Sequence, residues 1–240
     1  MEGIGKLSDA AVRPRGRFVD IGGALHLSNG SLDRNTLDDV YHLLGKNMRY
    51  PAQHKQQTRQ RIVRAAARRF RSRGTEGATI GTLMRDLRLT HGGFYRHFDS
   101  KEELFIEAFR ESLEELSRKV RSAIEHVPQG GELKALINGY LDIEHSEDFA
   151  GGCPVAALAT EIARRPPKTR AALLRLLTKN MAQVAKFIPG ANEAERERKA
   201  PLLISGMAGA LTMSRMIVDV QQRKQFLEGA KKFYFDAVCK

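Results

Sequence analysis

The chain has 240 residues, 42% of them apolar, and carries a net charge of +12. That length gives one large or two ordinary domains with a buried core, so no disulfide or metal staple is needed to hold the fold. The only cysteines, Cys153 and Cys239, stand in no CxxC or Cys/His cluster, which argues against a disulfide framework or a metal site and for a reducing, cytoplasmic compartment.

Residues 1–53 mix Gly, Asp, Arg and scattered apolar residues without a sustained period, and Gly22-Gly23 and Asn29-Gly30 read as turns. The expectation for this stretch is a poorly ordered arm. Asp9, Arg13, Pro14, Arg15, Arg17 and Asp20 break any apolar run that could serve as a secretory leader. Met48 stands just before the first strongly patterned segment, and translation from it is one expectation, with residues 1–47 lying upstream of the native start. The longest apolar stretch, Ala200–Met213, is interrupted by Pro201, Ser205, Gly206, Gly209 and Thr212. It falls short of the roughly 20 residues of a membrane span.

The positive charge is concentrated. Residues 54–101 hold twelve Lys and Arg against three Asp and Glu, a net of +9, whereas 1–53 and 102–240 net +1 and +2. A dense positive field on a small unit is what a polyphosphate partner requires, since each neutralised phosphate releases condensed counterions. A solvated helix face is the alternative reading of such a run.

From Thr58 the pattern is helical, with Ile62, Val63, Ala66 and Phe70 on one face and Gly74 as the stop. Thr79 is placed to cap a second helix with apolar Ile80, Leu83, Met84 and Leu87. After a break at Arg88-Leu89, Thr90 is placed to cap a third, short segment, His91-Gly92-Gly93-Phe94-Tyr95-Arg96-His97-Phe98. Ser100 with Glu103 forms a capping box for a fourth helix running to about His126. Further helices are expected at 132–148, 154–165, 168–188, 193–220 and 223–238, separated by Gly130-Gly131, Gly151-Gly152, Pro166-Pro167 and Pro189-Gly190. Period-two runs rich in β-branched residues are scarce, so the fold class is all-α.

Two short helices with a break between them, preceded by a supporting helix, form a helix-turn-helix, whose second helix lies in the major groove of double-stranded DNA. In an ordinary helix Gly92 and Gly93 would each cost about 1 kcal/mol relative to Ala, and their benefit is that backbone can approach the bases. Thr90, Tyr95, His97 and Lys101 are donor types that grip phosphates, while His91 and Arg96 can present donors to base edges. Amides at the helix starts at Thr79 and Thr90 can point at phosphate oxygens. Taken singly, Tyr95 reads equally as core, His97 as a helix-end cap and Lys101 as a solvated first-turn residue. It is the combination with the +9 block and the glycine pair that points to DNA.

The run from Thr58-Arg59 through Ile62, Ala65-Ala66, Phe70, Gly74, Thr79 and Leu83 to Thr90-His91-Gly92-Gly93-Phe94-Tyr95-Arg96-His97-Phe98-Asp99-Ser100-Lys101-Glu102-Glu103-Leu104 resembles the amino-terminal head of TetR-type (tetracycline-repressor-like) regulators. The resemblance implies phosphate contacts from Thr90, Tyr95, His97 and Lys101, base-facing His91, Gly92, Gly93 and Arg96, and packing roles for Phe94, Phe98 and Leu104. It fades beyond the head. In one place the chain departs from it: such proteins carry Gly in the turn where this chain has Arg88. If that turn needs a positive φ, Arg88 is strained by roughly 1 kcal/mol or more.

The expected division is therefore an arm over 1–53, a helix-turn-helix domain over 54–101 and a helical ligand-binding and dimerisation domain over 102–240. Half-site recognition calls for a homodimer. Ser205, Gly206, Gly209, Ala210, Met213, Phe226 and Phe233 are the candidates for its interface, small residues permitting close approach and large ones supplying apolar area. Relatives of this type pair through their last two helices, enclose a small-molecule inducer in the body and most commonly repress.

Cys153, just before Pro154, has two readings: a thiol sensor activated at a helix start, or a small buried apolar residue. Two other functions are weighed against specific regulation. One is non-specific DNA binding by charge alone. The other is a cysteine-dependent enzyme using Cys153 and His145, for which no orienting third group, GxSxG, P-loop or HExxH is present. No cofactor is expected.

Overall fold

A computed structural model of the protein describes residues 52–239. Of the arm expected over 1–53, the part before Ala52, including a start at Met48, lies outside the described residues, and residues 52 and 53 belong to the first helix instead. Everything described is helix and connecting turn, without a strand.

Helix α1 (Ala52–Arg73) begins six residues before its apolar pattern. Gln53 to Gln57 are polar and exposed, so they carry no period, but they contain no residue that stops a helix. Ile62, Val63, Ala66, Ala67 and Phe70 are buried, as their spacing on one face demands. Gly74 ends the helix at φ 69°, its N–H returning 2.9 Å to the Phe70 carbonyl.

Thr79 caps α2 (Ile80–Asp86), accepting from Thr82 N–H at 3.1 Å. The turn after α2 is a Schellman motif built on arginine: Arg88 stands at φ 58°, its N–H bonds the Arg85 carbonyl, and Leu89 N–H reaches back to Met84. Glycine is the usual occupant of such a position. Thr90 then caps a 3-10 helix, His91–Arg96, accepting from Gly93 N–H at 3.2 Å. Phe94 and Phe98 stack beneath it at 5.3 Å between ring centres.

Ser100 starts α3 (Lys101–Ile124), accepting from Glu103 N–H at 3.1 Å. Glu103 closes the box one residue early, on Asp99 N–H at 2.7 Å. The stretch expected as one helix over 132–148 divides into α4 (Glu132–Tyr140) and α5 (Ile143–Glu147), because the Asp142 side chain caps a new start on Glu144 N–H at 2.9 Å. Helices α6 (Pro154–Ala163) and α7 (Pro167–Ala185) both begin on proline, which suits a first turn that needs no N–H donor. The last pair are α8 (Glu193–Ser214) and α9 (Val220–Cys239). Helix α8 ends short of the expected 220, as Arg215 turns to hold the carbonyls of Ser146 and His145.

Two apolar cores form. The first joins α1, α2, the 3-10 helix and the first half of α3, and is completed by Leu158 and Leu173 of α6 and α7. The second lies among α4, α8 and α9 with Cys153, Ala185 and Ile188. Two of the residues expected at a dimer face are instead used within the chain. A Cβ on Gly206 would stand 2.5 Å from the Tyr234 ring, whose hydroxyl donates to the Gly206 carbonyl at 2.9 Å. Ala210 is buried in the second core.

Candidate nucleic-acid interface

The two short helices and their turn hold the candidate reading element against α1. Phe94 is buried and anchors the 3-10 helix, while its neighbours His91, Gly92, Tyr95 and Arg96 are exposed. Tyr95 is 59% exposed, so it is not a core residue, and it packs edge-on against Phe94 and His91. A cleft of about 580 Å³ runs beside the element, lined by Thr90, Gly93, Arg96 and His97 together with Lys55 and Arg88. Three cations and no carboxylate border it, so its field favours an anion.

The two glycines differ. A Cβ on Gly93 would crowd the Thr90 hydroxyl at 3.2 Å, whereas a Cβ on Gly92 would meet nothing within 4 Å. The chain's own packing therefore gives no reason for glycine at position 92.

His97 is half-buried, and its Nδ1 has no hydrogen-bond partner in the protein. Burial first, then the charges of Lys55, Arg59 and Arg96, hold its imidazole below the ordinary histidine range. Thr79 is exposed at the start of α2. Lys101 is placed differently from the expectation of a free phosphate contact: its ammonium donates to the Thr75 carbonyl at 2.7 Å. Lys55 and Arg88, which line the cleft, are not among the DNA contacts expected from the sequence. Lys55 sits in the patternless start of α1, and Arg88 shows there only as a departure from glycine.

Thr75, in the turn between α1 and α2, is tied to the body. Glu161 at the end of α6 accepts its N–H and its hydroxyl, and Arg165 donates to the same hydroxyl at 2.7 Å. Arg71 of α1 donates to the Ala150 carbonyl and to Glu115, both at 2.6 Å.

The body holds an inner cavity of about 180 Å³ between α3, α4, α7 and α8. Cys153 is 2% exposed and forms part of its wall. His145 does not address the thiol as a catalytic base would. Its Nε2 accepts the Cys153 backbone N–H at 3.0 Å and its Nδ1 bonds the Tyr140 carbonyl at 2.7 Å. Among the described residues no group of three His, Cys, Asp or Glu side chains could hold a metal, and no helix is long and apolar enough to cross a membrane.

On the outer faces of α8 and α9, Ser205, Gly209, Met213, Phe226 and Phe233 are exposed, and Leu202 and Met216 join them.

Comparison with known proteins accords with this arrangement. Residues 62–108 match bacterial regulatory proteins, tetR family, and residues 130–230 match the tetracyclin repressor-like, C-terminal domain. The chain is 25% identical over 178 residues to the HTH-type transcriptional repressor DhaR of Mycobacterium sp. (strain GP1), covering 70% of this chain and 88% of that protein. A TetR transcriptional regulator from Chloroflexus aurantiacus superposes with a TM-score of 0.60 at 24% identity, over 75% of this chain and 96% of the other. A TetR-family regulator from Cytophaga hutchinsonii gives 0.61 at 19% identity, over 76% and 96%. At these identities the solved structures speak for the fold.

Proposed function

The chain belongs to the TetR-type family of transcriptional regulators, and from that premise we propose that it binds a two-fold symmetric DNA site as a homodimer and represses until a small molecule enters its body. The family is a class of regulators rather than of enzymes.

One observation carries the DNA-reading role. Gly92 lies exposed beside a cationic cleft with open space around its Cα, so glycine there serves something outside the chain. A base edge in the major groove, approached by backbone, is what the geometry suits. Thr90, Tyr95, His97 and the amides at the starts of α2 and the 3-10 helix grip phosphates, and His91 and Arg96 face bases.

Homodimerisation is supported by the exposed face of the last two helices. Leu202, Ser205, Gly209 and Met213 recur at helical spacing on α8, and Phe226, Gly229 and Phe233 on α9, all exposed. Exposed large apolar residues such as Leu202, Met213, Phe226 and Phe233 on one pair of helices favour an interaction site there.

Helix α6 supplies the route from ligand to DNA. Its start, at Cys153 and Val155, borders the inner cavity, and its end, at Glu161, holds Thr75 just before α2. Ten residues of helix span roughly 15 Å. A ligand that shifts the start of α6 therefore displaces the turn leading into the reading element. Cys153 serves here as a small wall residue.

Selection of bound duplexes from a random pool tests the proposal. A palindromic consensus is expected. Equal recovery of unrelated duplexes would favour the alternative, a basic protein held by phosphate charge alone.

A further inference from the structure

The inner cavity has a polar end with an unmet need. Tyr140 is 6% exposed, and its hydroxyl has only the Cys153 thiol, a weak partner, beside it and no nitrogen or oxygen partner in the protein. A buried polar group left with so weak a partner is a standing cost that a suitable ligand removes. Ser117, Asn180 and Gln183, also in the wall, already have partners. Ser117 donates to the Leu113 carbonyl and accepts from Asn180, both at 2.7 Å, and Gln183 accepts from Lys186 at 3.0 Å.

The remaining wall is largely apolar, with Leu116, Val120, Leu136, Ile204 and Met207. No Asp or Glu lines it, so a cationic ligand would find no countercharge. Its two cations, Arg121 and Lys186, are exposed, where pairing with an anion adds little. At about 180 Å³ the space is slightly larger than an apolar cavity of about 150 Å³ that holds benzene.

The polar end is also fixed in place. His145 links the backbone of Tyr140 to that of Cys153 through its two ring nitrogens and packs edge-on against the Tyr140 ring at 4.8 Å. Burial, and then the neighbouring Cys153, push the Tyr140 phenol well above its ordinary range. It stays protonated and available as a donor.

We propose that this cavity takes an uncharged, predominantly apolar molecule about one ring in size, which presents a single hydrogen-bond acceptor to the Tyr140 hydroxyl. The inference rests on the reading of the body as an inducer site and names the chemistry of that inducer.

Calorimetric titration of the full chain with acetophenone, ethylbenzene and benzoate tests it without DNA. Acetophenone should bind one per chain, roughly tenfold or more tighter than ethylbenzene, which lacks the acceptor, and benzoate should bind more weakly than acetophenone. Tyr140→Phe should bring acetophenone to within about twofold of ethylbenzene while ethylbenzene binding persists. Equal binding of the two by the wild type, tighter benzoate, or a preference that survives Tyr140→Phe would overturn the proposal. A measurement on the wild type avoids dependence on the variant's folding: acetophenone should shift the Tyr140 carbon-13 Cζ resonance more than ethylbenzene does, and equal shifts would overturn the proposal. Release of a selected duplex is read separately. If acetophenone binds as described but leaves the DNA complex intact at saturation, the ligand chemistry is upheld and the inducer reading fails.

Discussion

Glu161 and Thr75, 86 residues apart, are joined by two hydrogen bonds: Glu161 Oε2 accepts the Thr75 N–H at 3.0 Å and its hydroxyl at 2.5 Å. Thr75 is buried, so Glu161→Ala would strand its N–H. A cost of about 1–3 kcal/mol is expected, seen as a melting midpoint lowered by several degrees and as faster amide exchange in α2. An unchanged midpoint with unchanged exchange would mean that the pair does not hold the turn.

Arg88 occupies a left-handed position that ordinarily costs a side-chain-bearing residue about 1–2 kcal/mol. Glycine removes that strain but gains freedom in the unfolded chain. The net expectation for Arg88→Gly is a stabilisation of about 0.5–1 kcal/mol, measured by chemical denaturation. A loss of stability would show that the arginine side chain holds the turn by contacts of its own.

Lys55 lines the cationic cleft, where a lysine acts as a point charge on phosphate. Lys55→Gln should weaken matched and scrambled duplexes equally and flatten the dependence of log K on log salt by about 0.9. A loss confined to the matched duplex would assign Lys55 to base recognition.

Acid should loosen the body. His145 is held below its ordinary pKa of 6.5, mainly by burial and further by Arg215 and Lys119. The unfolded chain therefore takes up the proton first. Stability is fully present above about 6.5 and is lost as pH falls from there toward the folded-state value. A nuclear magnetic resonance titration of the His145 ring should place its midpoint below 6.5, and a midpoint above it would contradict the neutral, backbone-bonded imidazole.

Much of the head was legible because its signals are local. Thr79, Thr90 and Ser100 cap as their spacing predicts, Gly74 stops α1, and the glycine at position 92 stands out within a helical pattern. What escaped the sequence depends on distant partners. The Thr75–Glu161 and Arg71–Ala150 ties join residues about 80 or more apart and leave no periodic trace. Lys101 has the composition of a phosphate contact, but the nearby Thr75 carbonyl takes its ammonium. Small residues at i, i+4 spacing announced a close helix approach on α8. They could not say whether the neighbour was Tyr234 of the same chain, as for Gly206, or open surface, as for Gly209. The weakly partnered Tyr140 hydroxyl is likewise a product of packing, and an isolated tyrosine in a sequence carries no sign of it.

The most direct test of groove reading by the 3-10 helix is Gly92→Ala, measured as affinity for a selected and a scrambled duplex beside the melting midpoint. Nothing in the chain crowds a methyl group there, so the midpoint should hold or rise slightly. Affinity for the selected duplex should fall about tenfold or more, the equivalent of ~1.4 kcal/mol, while affinity for the scrambled duplex should change little. Full retention of affinity for the selected duplex at an unchanged midpoint would contradict the claim that this segment reads the DNA.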